Sequence, residues 1–155
     1  MMSMNEFTYY CLASVQDGTG ENLWAWTGNI EKRRRRPLGE TREWLLGVLG
    51  RLLERDLVCV GNFEENGTGR AGWETWTGSV DAVVDRVASI YTVDLAADEV
   101  QYWPCYLMRT EAGAQLYGRE RSRRELAGED PVPRLRAVWD EDGNVIELHG
   151  DEIIV

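Results

Sequence analysis

Residues 40–77, ETREWLLGVLGRLLERDLVCVGNFEENGTGRAGWETWT, leave this chain few ways to fold. Leu45, Val48, Leu49, Leu52 and Leu53 recur at spacings of three and four, while Glu43, Arg51 and Glu54 take the opposite side. That period marks an amphipathic helix with one face turned to a core. The helix is expected to begin at Gly39 or Glu40, and acids at its start with Arg55 at its end suit the helix dipole. Its stop is expected at Asp56. Leu57-Val58-Cys59-Val60 then reads as a buried strand. Glu65-Asn66-Gly67-Thr68-Gly69 reads as a hairpin turn into a second strand.

The flanking segments add shorter elements. Phe7 to Val15 (FTYYCLASV) is apolar enough for a strand or a helix, and a helix is expected, ending at the turn Asp17-Gly18-Thr19-Gly20. Leu23 to Ile30 predicts a short helix, followed by a basic loop that Pro37 closes. Ser79 predicts an N-cap for a helix from Val80 to Tyr91, with Val83, Val87, Ile90 and Tyr91 on one face. Val100 to Met108 (VQYWPCYLM) predicts one strand, which Pro104 confines to an edge or a bulge. Thr110 caps a helix expected from Glu111 to about Glu125. Gly128 to Pro133 reads as a linker. Leu135 to Trp139 and Val145 to Leu148 read as a terminal hairpin around Glu141-Asp142-Gly143-Asn144, and Ile153 to Val155 as a further short strand.

Two of these segments resemble winged helix proteins. Arg51 to Val60 (RLLERDLVCV) is similar to the end of that family's third helix and its first wing strand, R-L-x-x-x-G-L-[VI]. Asp56 stands where the family has a left-handed glycine, a conformation Asp tolerates better than most residues. Tyr106 to Leu116 (YLMRTEAGAQL) is similar to the L-T-x-x-G strand-to-helix junction that follows the wing, with Arg109 intervening before Thr110. The resemblance spans about residues 5 to 125. It implies an α+β winged helix-like domain over residues 1–127, with residues 128–155 as a linker and an acidic β hairpin packed on it in one globular unit.

With 155 residues the chain has the size of one domain, and 43% hydrophobic against 28% charged residues fits a globular protein. Cys11, Cys59 and Cys105 lie in apolar contexts, form no CxxC pair and are odd in number, which predicts buried free thiols. No apolar run approaches the ~20 residues that span a bilayer, and no leader pattern opens the sequence. A cytoplasmic protein without cofactor or metal is expected.

Catalytic motifs do not stand out. His149, the only histidine, falls in the predicted terminal hairpin, where a surface position explains it without a nucleophile to activate. The sequence contains no HExxH, P-loop or GxSxG pattern. The adjacent acids Asp98-Glu99 and Asp151-Glu152 are commoner on solvated loops than in catalytic pairs. A non-enzyme is the expectation.

Charge carries more information. The net charge is −10, and the last sixteen residues contribute six acids and no base. Residues 71–108 hold six acids against one arginine. A DNA-reading helix and wing should present cations to phosphates, but Arg42, Arg51 and Arg55 are offset by Glu40, Glu43 and Glu54, and Arg70 by Glu64 and Glu65. The basic patch at Lys32, Arg33, Arg34, Arg35 and Arg36 is either a solvated loop paired internally or an anion contact. Acidic surfaces steer cationic partners, and Trp or Tyr side chains anchor them. The chain is thus similar in size, charge and lack of catalytic motifs to small bacterial toxin-immunity proteins. The first expectation is an immunity or antitoxin-like inhibitor of a basic partner such as a toxin nuclease. Its contact residues would be Trp139, Asp140, Glu141, Asp142, Asp151 and Glu152, in a monomer or homodimer. A winged helix regulator comes second and an enzyme third.

Overall fold

The computed structural model describes residues 6–15, 38–63, 73–94, 99–102, 105–132, 137–139 and 145–148. Its elements are α1 (Glu6–Ser14), α2 (Leu38–Glu54), β1 (Val58–Phe63), β2 (Trp73–Thr75), α3 (Val80–Ile90), β3 (Tyr91–Asp94), β4 (Glu99–Tyr102), β5 (Tyr106–Arg109), α4 (Glu111–Leu126), β6 (Ala137–Trp139) and β7 (Val145–Leu148). The class is α+β. The expected helix at 23–30, the turn at 65–69 and the strand at 153–155 lie outside the described residues.

Helix α2 follows its periodicity. Leu45, Val48, Leu49 and Leu52 are all fully buried, each side chain contributing roughly 1.5–3 kcal/mol by leaving water. The helix ends in a Schellman turn: Leu57 N–H donates to Leu52 O and Asp56 N–H to Leu53 O, both at 3.0 Å. This turn requires a left-handed residue, and Asp56 occupies it at φ 54°. Gly47, midway along α2 and exposed, has no described atom within 4 Å of where a Cβ would stand. A helix-interior glycine costs about 1 kcal/mol relative to alanine.

Beyond the turn, β1 becomes the middle strand of an antiparallel sheet in the order β2-β1-β5. Gly61 to Phe63 pair with Thr75 to Trp73, and Val58 to Gly61 pair with Arg109 to Tyr106. The expected pairing of 57–63 with 72–77 is therefore present. The expected single strand 100–108 is instead two strands in two sheets. β4 pairs with β3, a strand the sequence reading did not foresee, whereas β5 pairs with β1. Tyr91, expected as the last helical residue, leaves the helix as the C-cap of α3 and opens β3. Its ring is fully buried either way.

The junction from β5 into α4 is tight. Thr110 donates its hydroxyl hydrogen to Asp56 O and its N–H to Leu57 O at 3.2 Å, while its Oγ1 accepts from Gly113 N–H at 3.0 Å. Gly113 passes so close to the α2–β1 turn that a Cβ there would stand 2.0 Å from Leu57 O. The far end of α4 repeats the Schellman geometry with Gly128 at φ 71°: Glu129 N–H reaches Arg124 O at 2.8 Å and Gly128 N–H reaches Glu125 O at 3.2 Å.

Helix α4 packs on α1, and α2 packs on α3 and β1. Arg42, at the start of α2, donates to Ala88 O at 2.7 Å and to Tyr91 O. It thereby supplies the cation that α3 lacks in its own last turn. The expected terminal hairpin is present as the antiparallel pair β6 and β7, with an irregularity between Val138 and Trp139.

Candidate functional site

Two groups of polar side chains stand out among the described residues, and they differ in how their charges are answered. The first joins α1, β5, α4 and residues 129–131. Arg124 lies 3.9 Å from the Tyr9 ring centroid, Tyr9 stacks on Tyr117 at 5.2 Å, and Arg109 lies 4.7 Å from the Tyr117 ring. Guanidinium groups thus close both ends of a tyrosine stack. Glu120 and Arg124 are nearly inaccessible, at 6% exposure each. Glu120 accepts from Arg124 Nε at 3.0 Å and from Arg123 Nε and Nη2 at 3.0 and 2.9 Å. Arg123 also holds Glu129 through both its Nη atoms, and the Tyr9 hydroxyl donates to Pro131 O.

Every charge in this group has a partner, and its titration is set by that. Burial works against the Glu120 charge, but the hydrogen bonds from Arg123 and Arg124 outweigh it and hold the carboxyl below its ordinary value. Burial, with Tyr117 adding to it, pushes Tyr9 up to about 12. Glu120 therefore stays ionised and Tyr9 stays protonated at neutral pH. That suits a fixed structural network better than proton transfer.

The second group is on β2 and α3. Trp76 N–H extends the ladder past β2 by donating to Val60 O at 2.8 Å, and its indole Nε1 donates to Asn62 Oδ1 at 2.7 Å. Arg86 covers the Trp76 ring at 3.7 Å. Half-buried Trp73 donates from Nε1 to Thr75 Oγ1 at 2.7 Å. Ser79 caps α3 by accepting from Ala82 N–H at 3.1 Å. The cap turns Asp81 and Asp85 outward as an exposed pair one turn apart. Neither these acids nor exposed Glu74 forms an ion pair with a described residue. Like charges at that helical spacing cost about 0.2–0.5 kcal/mol.

By contrast, the acids Glu120, Glu125 and Glu129 in and beyond α4 are each bound to an arginine. The β2–α3 side therefore presents uncompensated negative charge beside two tryptophans. No site was assigned to it from sequence, although the imbalance in residues 71–108 was its visible signal.

No known protein family matches the chain. No curated protein and no solved structure matches it either.

The residues expected to bind a partner fall mostly outside what is described. Trp139 closes β6, where it pairs with Val145. Asp140, Glu141, Asp142, Asp151 and Glu152 lie outside the described residues, as do Arg33, Arg34, Arg35 and Arg36. His149 does as well.

The thiols are free, with Cys11 and Cys105 buried and Cys59 partly so. Burial pushes the Cys11 thiol well above its ordinary value and raises Cys59 too, which keeps both protonated. Among the described residues no group of His, Cys, Asp and Glu is arranged to hold a metal ion, and no helix is long and apolar enough to cross a membrane.

Proposed function

We propose that this chain is a non-catalytic binding protein, an immunity or antitoxin-like inhibitor that captures a basic protein such as a toxin nuclease. The observation that carries the reading is the contrast in charge compensation. Acids along α4 are neutralised within the fold, while Glu74, Asp81 and Asp85 stand exposed without an ion pair to a described residue. A cationic surface would supply the missing counter-charges, and the neighbouring Trp73 edge offers apolar contact of the kind that concentrates binding energy. The acids at 140–142 and 151–152 extend the same negative field and belong to the proposed contact with Trp139.

A winged helix regulator is the second reading, and one observation favours it. The two family-like segments, 51–60 and 106–116, come together: β1 and β5 are neighbours, and Thr110 and Gly113 close on the Asp56–Leu57 turn. Two further observations weigh the other way. The helix that would read DNA, α2, is packed on one flank by α3, and its Arg42 is committed to the α3 carbonyls. In addition, α3 and the β3–β4 pair stand between the two strands that a wing would join directly.

Association kinetics distinguish the readings. The probes are the purified product of an adjacent toxin-like gene and a labelled DNA duplex carrying the upstream promoter. Asp81→Lys with Asp85→Lys is expected to slow association with the cationic protein about tenfold at low salt while leaving the melting temperature within a few degrees, because rim charges act mainly on the on-rate. Sequence-specific binding of the duplex at physiological salt, lost on changing Arg51 and Arg55, would reverse the ranking.

A further inference from the structure

We propose that the outer face of α2 docks a second copy of this chain, the two helices antiparallel and crossing at Gly47. The proposal does not depend on the partner reading above. Gly47 is exposed at the middle of a 17-residue helix, and no described atom lies within 4 Å of its missing Cβ. Nothing described in the monomer uses the absent side chain, so the propensity cost of glycine there has no return within a single chain. A helix approaching from outside would use it, since backbones come closest where a side chain is missing.

The charges flanking Gly47 name the occupant. Glu43 is one turn before it and Arg51 one turn after, on the same exposed stripe. A two-fold axis through Gly47 places Glu43 against Arg51 of the second copy, and Arg51 against that copy's Glu43. Such an interface is self-complementary, as closed dimers require. Arg51 forms no ion pair with a described residue, and Glu43, its side chain 71% exposed, meets only neighbouring Arg42.

α3 fixes the edge of the face, because Gly50 is occupied by Val84 at 3.7 Å. Helices that meet at a glycine cross steeply, so contact stays within the central turns and like-charged Glu54 is kept clear. Gly118 in α4 has equally open surroundings, but its neighbours one turn away are Ala114 and Ser122. That helix offers a second copy no such charge pairing.

Sedimentation velocity over a concentration series tests the proposal. The wild-type mass is expected to rise from 17.7 kDa towards twice that value. Gly47→Leu should hold the chain at monomer mass throughout, with a melting temperature no lower than wild type at a concentration where both are monomeric. Arg51→Glu and Glu43→Arg should each shift the equilibrium at least tenfold towards monomer, and the double swap should restore the dimer. A wild type that remains monomeric at every concentration overturns the proposal. So does a Gly47→Leu variant that still dimerises, or a double swap that rescues nothing.

Discussion

Asp56 and Gly113 sit on either side of one backbone contact, and each is held there by a steric demand. Asp56 adopts φ 54°, where a Cβ is strained by about 1–2 kcal/mol, less for Asp than for most residues. Asp56→Gly is therefore expected to stabilise the fold by about 0.5–1 kcal/mol, part of the relief being offset by the freer unfolded chain; urea denaturation midpoints measure it. Gly113→Ala is expected to cost about 1–3 kcal/mol, because the new Cβ would stand 2.0 Å from Leu57 O. An alanine variant as stable as wild type would show that the turn is not packed this closely. The thiols give a second prediction at this scale. Cys59, the most accessible, should react first with a thiol reagent in the native protein, while Cys11 and Cys105 wait for unfolding. Labelling of all three at equal rates would contradict their burial. The residue types alone announced the free thiols and the left-handed Asp56. The role of Gly113 was legible only as a motif letter, because the carbonyl that demands it belongs to a segment more than fifty positions away.

Helix α4 has a weakly amphipathic sequence, and what fixes it in place is ionic. Glu120 binds Arg123 and Arg124 where water barely reaches, so removing the carboxylate leaves buried cations unanswered. Glu120→Gln is expected to lose roughly 3 kcal/mol at neutral pH. The sign of the pH effect follows from the lowered folded value. The contribution is complete above the ordinary carboxyl value of 4.5 and is lost as pH falls through the lower folded one. Wild type should therefore lose stability below pH 4.5 more steeply than Glu120→Gln, as circular dichroism against denaturant at several pH values can follow. Parallel acid limbs in the two proteins would rule the linkage out. At this scale the sequence was readable wherever an element carries its own signal. The stripe of α2, the Ser79 and Thr110 caps and the terminal hairpin all sit where local pattern placed them. The strand pair β3–β4 was not readable, because Tyr91 continues the apolar face of α3 and its departure from the helix depends on Arg42, far away in the chain. The candidate face on β2 and α3 was hidden for a related reason. Composition showed the excess of acids, but only the fold shows which of them lack an arginine.

Across the whole molecule, a net charge of −10 means that repulsion competes with the local pairs. Moderate salt should screen that repulsion and raise the melting temperature, whereas a fold dominated by its exposed ion pairs would lose stability. Differential scanning calorimetry between low and physiological ionic strength decides between the two. The fold also imposes an order on synthesis. β1 acquires β2 soon after it emerges, since only residues 64–72 separate them, but α1 has no α4 to rest on until residue 126 has left the ribosome. Until then Tyr9, Cys11, Leu12 and Val15, all inaccessible in the finished fold, remain without their main cover. Nascent chains halted before residue 111 should consequently recruit trigger-type chaperones through α1, and those halted well beyond residue 132, with α4 and its reversal clear of the exit tunnel, should release them. The helix made first is among the last to be buried, and during translation it is the part of the chain most exposed to capture by something else.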